Sequence, residues 1–181
     1  MRLIREVIVA VTMLAGTPAF AQGILDVHSH PVFAGQRERL ERHGASLAET
    51  FPLPSYVVEK QLAFMDRAGI TASLLSMPPP NPYFQDRAEA REAAREFNTA
   101  CAAIKRAHPG RFLYCAALPL PDVEGAIEEA VFALDHLDAD CVKIASNSRG
   151  LYLGDPALDP LMAALNERGA VIVTHPHRPE P

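Results

Sequence analysis

Ile24-Leu25-Asp26-Val27-His28-Ser29-His30-Pro31 is the stretch whose reading decides the fold of this 181-residue chain. It is an apolar run that becomes polar at its C-terminal end. In a strand, residues two apart share a face, so His28 and His30 project together and Asp26 shares their phase. Two imidazoles at that spacing can converge on one ion, and neutral imidazole suits Zn, Mn, Fe or Ni. A His-x-His pair alone is common by chance. A second pair, His175-Pro176-His177, closes another apolar run at Ala170 to Thr174, and this repetition gives the first pair its weight.

Between the two pairs the chain alternates. Ser55 to Ala68 carries Val58, Leu62 and Met65 in helical phase and stops at Gly69. Ile70 to Ser76 reads as a second strand, closed by Met77-Pro78-Pro79-Pro80. Asp86 to Glu89 has the form of a capping box, opening a helix that runs to about His108. Arg111 to Leu118 is the third strand, and Pro121-Asp122 starts a helix to about Leu137. Cys141 to Ser146 is the fourth strand, Asp159-Pro160 opens the last helix, and Ala170 to Thr174 is the fifth strand. Phe33 to Pro54 reads as a long polar loop. Five short apolar strands separated by four helices imply parallel βαβ units in an α/β fold, whose sites lie at the C-terminal ends of the strands.

The polar residues collect at those ends. His175 is the natural third ligand beside His28 and His30. His177 reads as a solvated loop residue, His108 as a helix C-terminal residue at the opposite edge, and His136 and His43 as surface residues. Asp26 is either an acceptor that fixes a histidine tautomer or a partner for buried backbone. Lys143 reads as a paired or snorkelling lysine. Asn147 either orients substrate or caps the Arg149-Gly150 turn. Arg149, Tyr152 and Arg178 are further candidates for holding a carboxylate.

Composition narrows the classes. Lys+Arg 17 against Asp+Glu 22 gives a net charge of -5, with no basic stripe for nucleic acid. Trp is absent, which argues against an aromatic stacking platform. Cys101, Cys115 and Cys141 are odd in number and lack CxxC spacing, so the expectation is buried structural thiols rather than a disulfide framework. Arg2 and Arg5, the apolar run Val7 to Ala15 and the Ala19-Phe20-Ala21 site predict a signal peptide over residues 1–21. The run is too short to span a bilayer. The expected location is periplasmic or secreted if the signal is used and cytoplasmic otherwise, with residues 22–181 forming one domain and no membrane attachment after cleavage.

With these residues in hand, the chain resembles the amidohydrolase superfamily, in the metal-dependent branch of the aminocarboxymuconate-semialdehyde and 6-methylsalicylate decarboxylases. The resemblance rests on Ile24 to His30, Phe64-Met65-Asp66, Gly69-Ile70, Asn98 and His108-Pro109-Gly110-Arg111-Phe112. It continues through Ala117 to Asp122, Ser146-Asn147, Gly150 to Asp155, Leu165 to Arg168 and His175-Pro176. It implies a (β/α)8 TIM barrel, one divalent ion, Zn or Mn, and His28, His30 and His175 as ligands. It implies non-oxidative decarboxylation of a small aromatic or unsaturated carboxylic acid. A metal-dependent hydrolase of an amide, ester or lactone uses the same ligands, and a non-catalytic metal-binding fragment is the third reading. Members of the branch also use a histidine after strand six and an aspartate after strand eight, and neither can be assigned here. A barrel of this type takes about 250 residues. The expectation is therefore a C-terminally truncated, partial barrel whose two open edges invite pairing between copies, as in a homodimer.

Overall fold

The computed structural model describes residues 23–44, 55–79, 82 and 84–178. The predicted signal segment lies outside them. Five parallel strands, β1 (Ile24–Ser29), β2 (Ile70–Leu75), β3 (Phe112–Ala116), β4 (Cys141–Ala145) and β7 (Ile172–His175), form one sheet in that order. Each lies directly beside its predecessor in the sheet, the common arrangement for sequential strands. The sheet curls into half of a barrel, and the connections supply α1 (Ala34–Arg42), α2 (Val58–Ala68), α3 (Arg87–Ala107), α4 (Val123–His136) and α5 (Asp159–Glu167). A short antiparallel ribbon, β5 (Asn147–Ser148) with β6 (Leu151–Tyr152), follows β4. No helix among the described residues is long and apolar enough to cross a membrane.

The helices form because apolar residues recur at helical spacing. Ala90, Ala93, Ala94, Phe97 and Cys101 bury one stripe of α3. Asp86 caps it by accepting from the Ala88 and Glu89 amides at 2.8 and 3.1 Å. Gly69 ends α2 at φ 70°, a left-handed position that glycine occupies without strain. The core has two lobes. Met65, Leu75, Phe97, Phe112 and Tyr114 fill one, beneath α2 and α3. Leu118, Ala130, Val142, Ile144, Leu161 and Leu165 fill the other, beneath α4 and α5.

Three features depart from the sequence reading. The stretch expected to be a loop after β1 contains α1, giving five helices rather than four. Its sequence AGQRERLER has Leu40 as its single large apolar residue, so it shows no apolar stripe. Charge holds it instead, Arg39 meeting Glu96 at 2.6 Å and His43 meeting Glu89 at 2.7 Å. The last helix is preceded by a 3-10 turn, Pro156–Leu158, and Asp155 caps that turn through the Ala157 amide. Finally, Cys115 and Cys141 form a disulfide, while Cys101 is a buried free thiol. The odd count hid this pair because the bond joins register partners on β3 and β4, 26 residues apart.

The two edges of the curl are open. Ile24, Leu25 and Val27 of β1 are 54, 49 and 61 % exposed, and Val171 beside β7 is 59 % exposed. The same edges carry the histidines.

Candidate metal centre

His28 lies in β1, His30 just beyond it, and His175 ends β7. Curling the sheet brings its first and last strands together at their C-terminal ends. The three rings sit 4.5, 5.0 and 5.2 Å apart by centroid. One ligand nitrogen from each lies within 4.8 Å of the others.

The hydrogen bonds fix which nitrogens face inward. His30 Nδ1 is 3.0 Å from the Ser76 carbonyl, and His175 Nδ1 is 2.7 Å from the Pro176 carbonyl. A carbonyl only accepts, so both Nδ1 atoms carry their protons and both Nε2 atoms are lone pairs. Those two lone pairs face each other at 3.3 Å. A proton does not bridge them at neutral pH. Burial, with the nearby Lys143 charge, holds His30 down at about 4 and His175 below its ordinary value. Two imidazole nitrogens each about 2.0–2.1 Å from one ion at a tetrahedral angle stand roughly 3.3 Å apart. The donor set therefore fits a divalent cation, with backbone carbonyls orienting the rings from behind.

The other sequence candidates fall around this centre. Asp26 accepts from the His28 amide at 3.1 Å and from the Ser73 hydroxyl at 2.9 Å. Gln61 of α2 donates to Ser73 and Ser29, closing one network beneath β1. A register shift between Asp26 and Ser29 lets both join that network. Asp26 thus positions His28 through its backbone. Asn147 is buried and donates to the Arg178 carbonyl at 2.8 Å, while the Ser146 hydroxyl accepts from the His177 amide at 2.9 Å. The pair clasps the segment that follows His175. Arg149 and Gly150 make the turn of the β5–β6 ribbon at φ 55° and 83°, and Tyr152 pairs with Asn147 across it.

His177 stands outside the three-histidine cluster. His43 stacks on Phe84 at 4.4 Å, and His108 and His136 lie against Phe112 and Phe132. Lys143 is buried, and its Nζ donates to the Met77 carbonyl. It is paired on backbone rather than snorkelling. Ser76 and Met77 contribute through their carbonyls and Gln61 through a distant helix; a backbone carbonyl has no sequence signature. The Met77 side chain also lines an apolar cavity of about 190 Å³ with Phe33, Phe84 and Phe97.

A curled parallel α/β half-barrel with a three-histidine cluster at its strand ends, arranged as a divalent cation would need, defines the class. The amidohydrolase family model matches residues 25–181, and the chain belongs to that family. It is 35 % identical over 160 residues to the 6-methylsalicylic acid decarboxylase of Aspergillus aculeatus, covering 86 % of this chain and 48 % of that protein. An amidohydrolase II crystal structure superposes with a TM-score of 0.81 at 32 % identity, covering 86 % of this chain and 51 % of that one. A dihydroxybenzoic acid decarboxylase from Polaromonas sp. JS666, solved with manganese and 2-nitroresorcinol, shares the fold at 23 % identity and a TM-score of 0.72, with 88 and 51 % covered. The chain spans about half the length of the relatives it matches.

Proposed function

We propose that residues 22–181 are the N-terminal part of a metal-dependent decarboxylase acting on a small aromatic or unsaturated carboxylic acid. The observation that carries this is the pair of opposed lone pairs on His30 and His175, completed by His28, at the open ends of the strands. The decarboxylases among the relatives support this reaction class. A divalent ion, when bound, supplies Lewis acidity and a template for the substrate's oxygens. We favour manganese or zinc, on the imidazole donors and on the manganese in the Polaromonas structure.

The chain's own residues do the holding. His28, His30 and His175 grip the ion, and the Ser76 and Pro176 carbonyls keep their tautomers. Asn147 and Ser146 fix the segment behind His175 in place. In the reaction the ring or alkene carbon that bears the carboxylate takes a proton first; the carboxyl C–C bond then breaks, its electron pair restoring the unsaturation, and CO2 leaves. The His30 and His175 Nδ1 protons are engaged on carbonyls, so that proton comes from another donor.

The apolar leader and the Cys115–Cys141 disulfide together support an oxidising, extracytoplasmic location. To test the centre, metal content is measured for the wild type and for His175→Ala and a His28→Ala/His30→Ala double variant, with salicylate-type acids assayed for CO2. We expect near-stoichiometric metal in the wild type and a loss in both variants; CO2 release supports the decarboxylase, and its absence from the metal-loaded chain favours the non-catalytic fragment. Equal metal in all three refutes the ligand assignment, and hydrolysis of an ester or amide without CO2 moves the chain to the hydrolases.

A further inference from the structure

Lys143 lies near the middle of β4 and is 7 % exposed. Its neighbours Val142 and Ile144 point into the core beneath α4 and α5. Lys143 takes the opposite, concave face of the curl, as does Cys141 in its bond to Cys115. Its Nζ donates to the Met77 carbonyl, one residue past the Ser76 carbonyl that holds His30. It pairs in register with Val173, two residues before His175 on the neighbouring strand, which places it beneath the metal centre. Among the described residues no carboxylate pairs with it. Desolvation brings the amine down to about 8, so at neutral pH it remains largely an ammonium. A buried charge without a partner is costly and is kept where a partner arrives later. Asp26, the nearest acid in sequence to the ligand histidines, spends its oxygens on Ser73 and on the His28 amide.

We propose that Lys143 binds the carboxylate of the incoming acid, making the site selective for anionic substrates over the corresponding phenols and esters. This rests on the reading of the site as one that acts on carboxylic acids. The Met77 carbonyl uses one of the three ammonium hydrogens, and two remain for the ligand. An N–H donor of this kind makes a short, charge-assisted bond to a carboxylate in a dry site. Lys143 sits below the histidines on the sheet wall, so an acid bound there directs its carboxylate inward.

The test uses the manganese-loaded chain with salicylate and phenol as probes, their dissociation constants measured by calorimetry. Lys143→Met removes the charge and the donor. Lys143→Gln keeps a donor for Met77 and removes only the charge, which covers the case in which the first variant does not fold. We expect salicylate to bind at least about tenfold more weakly to both variants, with phenol and manganese affinities unchanged, and Lys143→Arg to retain much of the acid preference. Salicylate affinity equal to wild type in either folded variant overturns the assignment, as does a wild type that binds phenol as tightly as salicylate. CO2 release from wild type is scored separately. Acid bound through Lys143 with no CO2 favours the non-catalytic fragment and leaves this assignment standing; CO2 release with KM unchanged in Lys143→Gln overturns this assignment and leaves the decarboxylase reading standing.

Discussion

The His30 imidazole carries a consequence for stability. Burial holds its pKa at about 4, against 6.5 for an ordinary histidine. Between those values the unfolded chain binds a proton that the folded chain refuses, so stability rises with pH across that window. The contribution is fully present above pH 6.5 and is lost as pH falls towards 4. Urea unfolding of the metal-free chain between pH 4 and 7 should show this slope, and the His30→Gln variant should flatten it. A slope of the same size in the variant would remove His30 as its source. The pairing of His28 with His30 was readable because a strand has period two, and His175 because a matching polar end followed another apolar run. Of the two readings of Asp26, the backbone partner is the one seen, at the His28 amide; its second bond, from the Ser73 hydroxyl of the neighbouring strand, was not readable, because no single-chain periodicity carries a cross-strand contact.

At the scale of elements, one polar side chain of α3 hydrogen-bonds the backbone just past β3. Asn98 is fully buried, donates to the Ala117 carbonyl at 3.0 Å and accepts from the Ala117 amide at 2.8 Å. Its amide also donates to Glu129 of α4 at 2.7 Å, and Glu129 in turn accepts from Arg95. Asn98→Leu would strand a backbone pair and a buried carboxylate. It should cost about 3 kcal/mol, measured by chemical denaturation; a cost near zero would show that water replaces the amide. Helix α1 shows the opposite balance. Its Arg39 is shared among Glu89, Glu92 and Glu96 of α3, with little apolar contact from α1 itself. Propensity and periodicity find helices with a stripe, such as α3, and pass over one held by charge across space. Arg39→Met should loosen α1 selectively, seen as faster amide exchange over Ala34 to Arg42 with α4 unchanged.

For the molecule as a whole, the order of strands was legible and their covalent tie was not. The Cys115–Cys141 bond closes a loop of 26 residues, and in the chain-entropy account such a loop stabilises by about 3 kcal/mol. Cys115→Ser/Cys141→Ser should lose close to that amount, read from the denaturation midpoint. Two unpaired serines on the concave face would otherwise leave the sheet order intact. Unchanged stability in the double variant would mean that the bond constrains nothing the sheet has not already fixed.

The histidines sit on the two outermost strands of that sheet, 145 residues apart in the chain between His30 and His175. An unfolded chain can offer a cation these histidines only as separate local pairs, because bringing His175 to His28 and His30 means ordering nearly everything between. Chelation by all three is therefore a count of closed molecules. Cation activity becomes a thermodynamic ratchet on the curvature of the sheet, tightening it in proportion to the logarithm of free ion. A cell that starves this protein of metal would lose the shape of the site along with its chemistry.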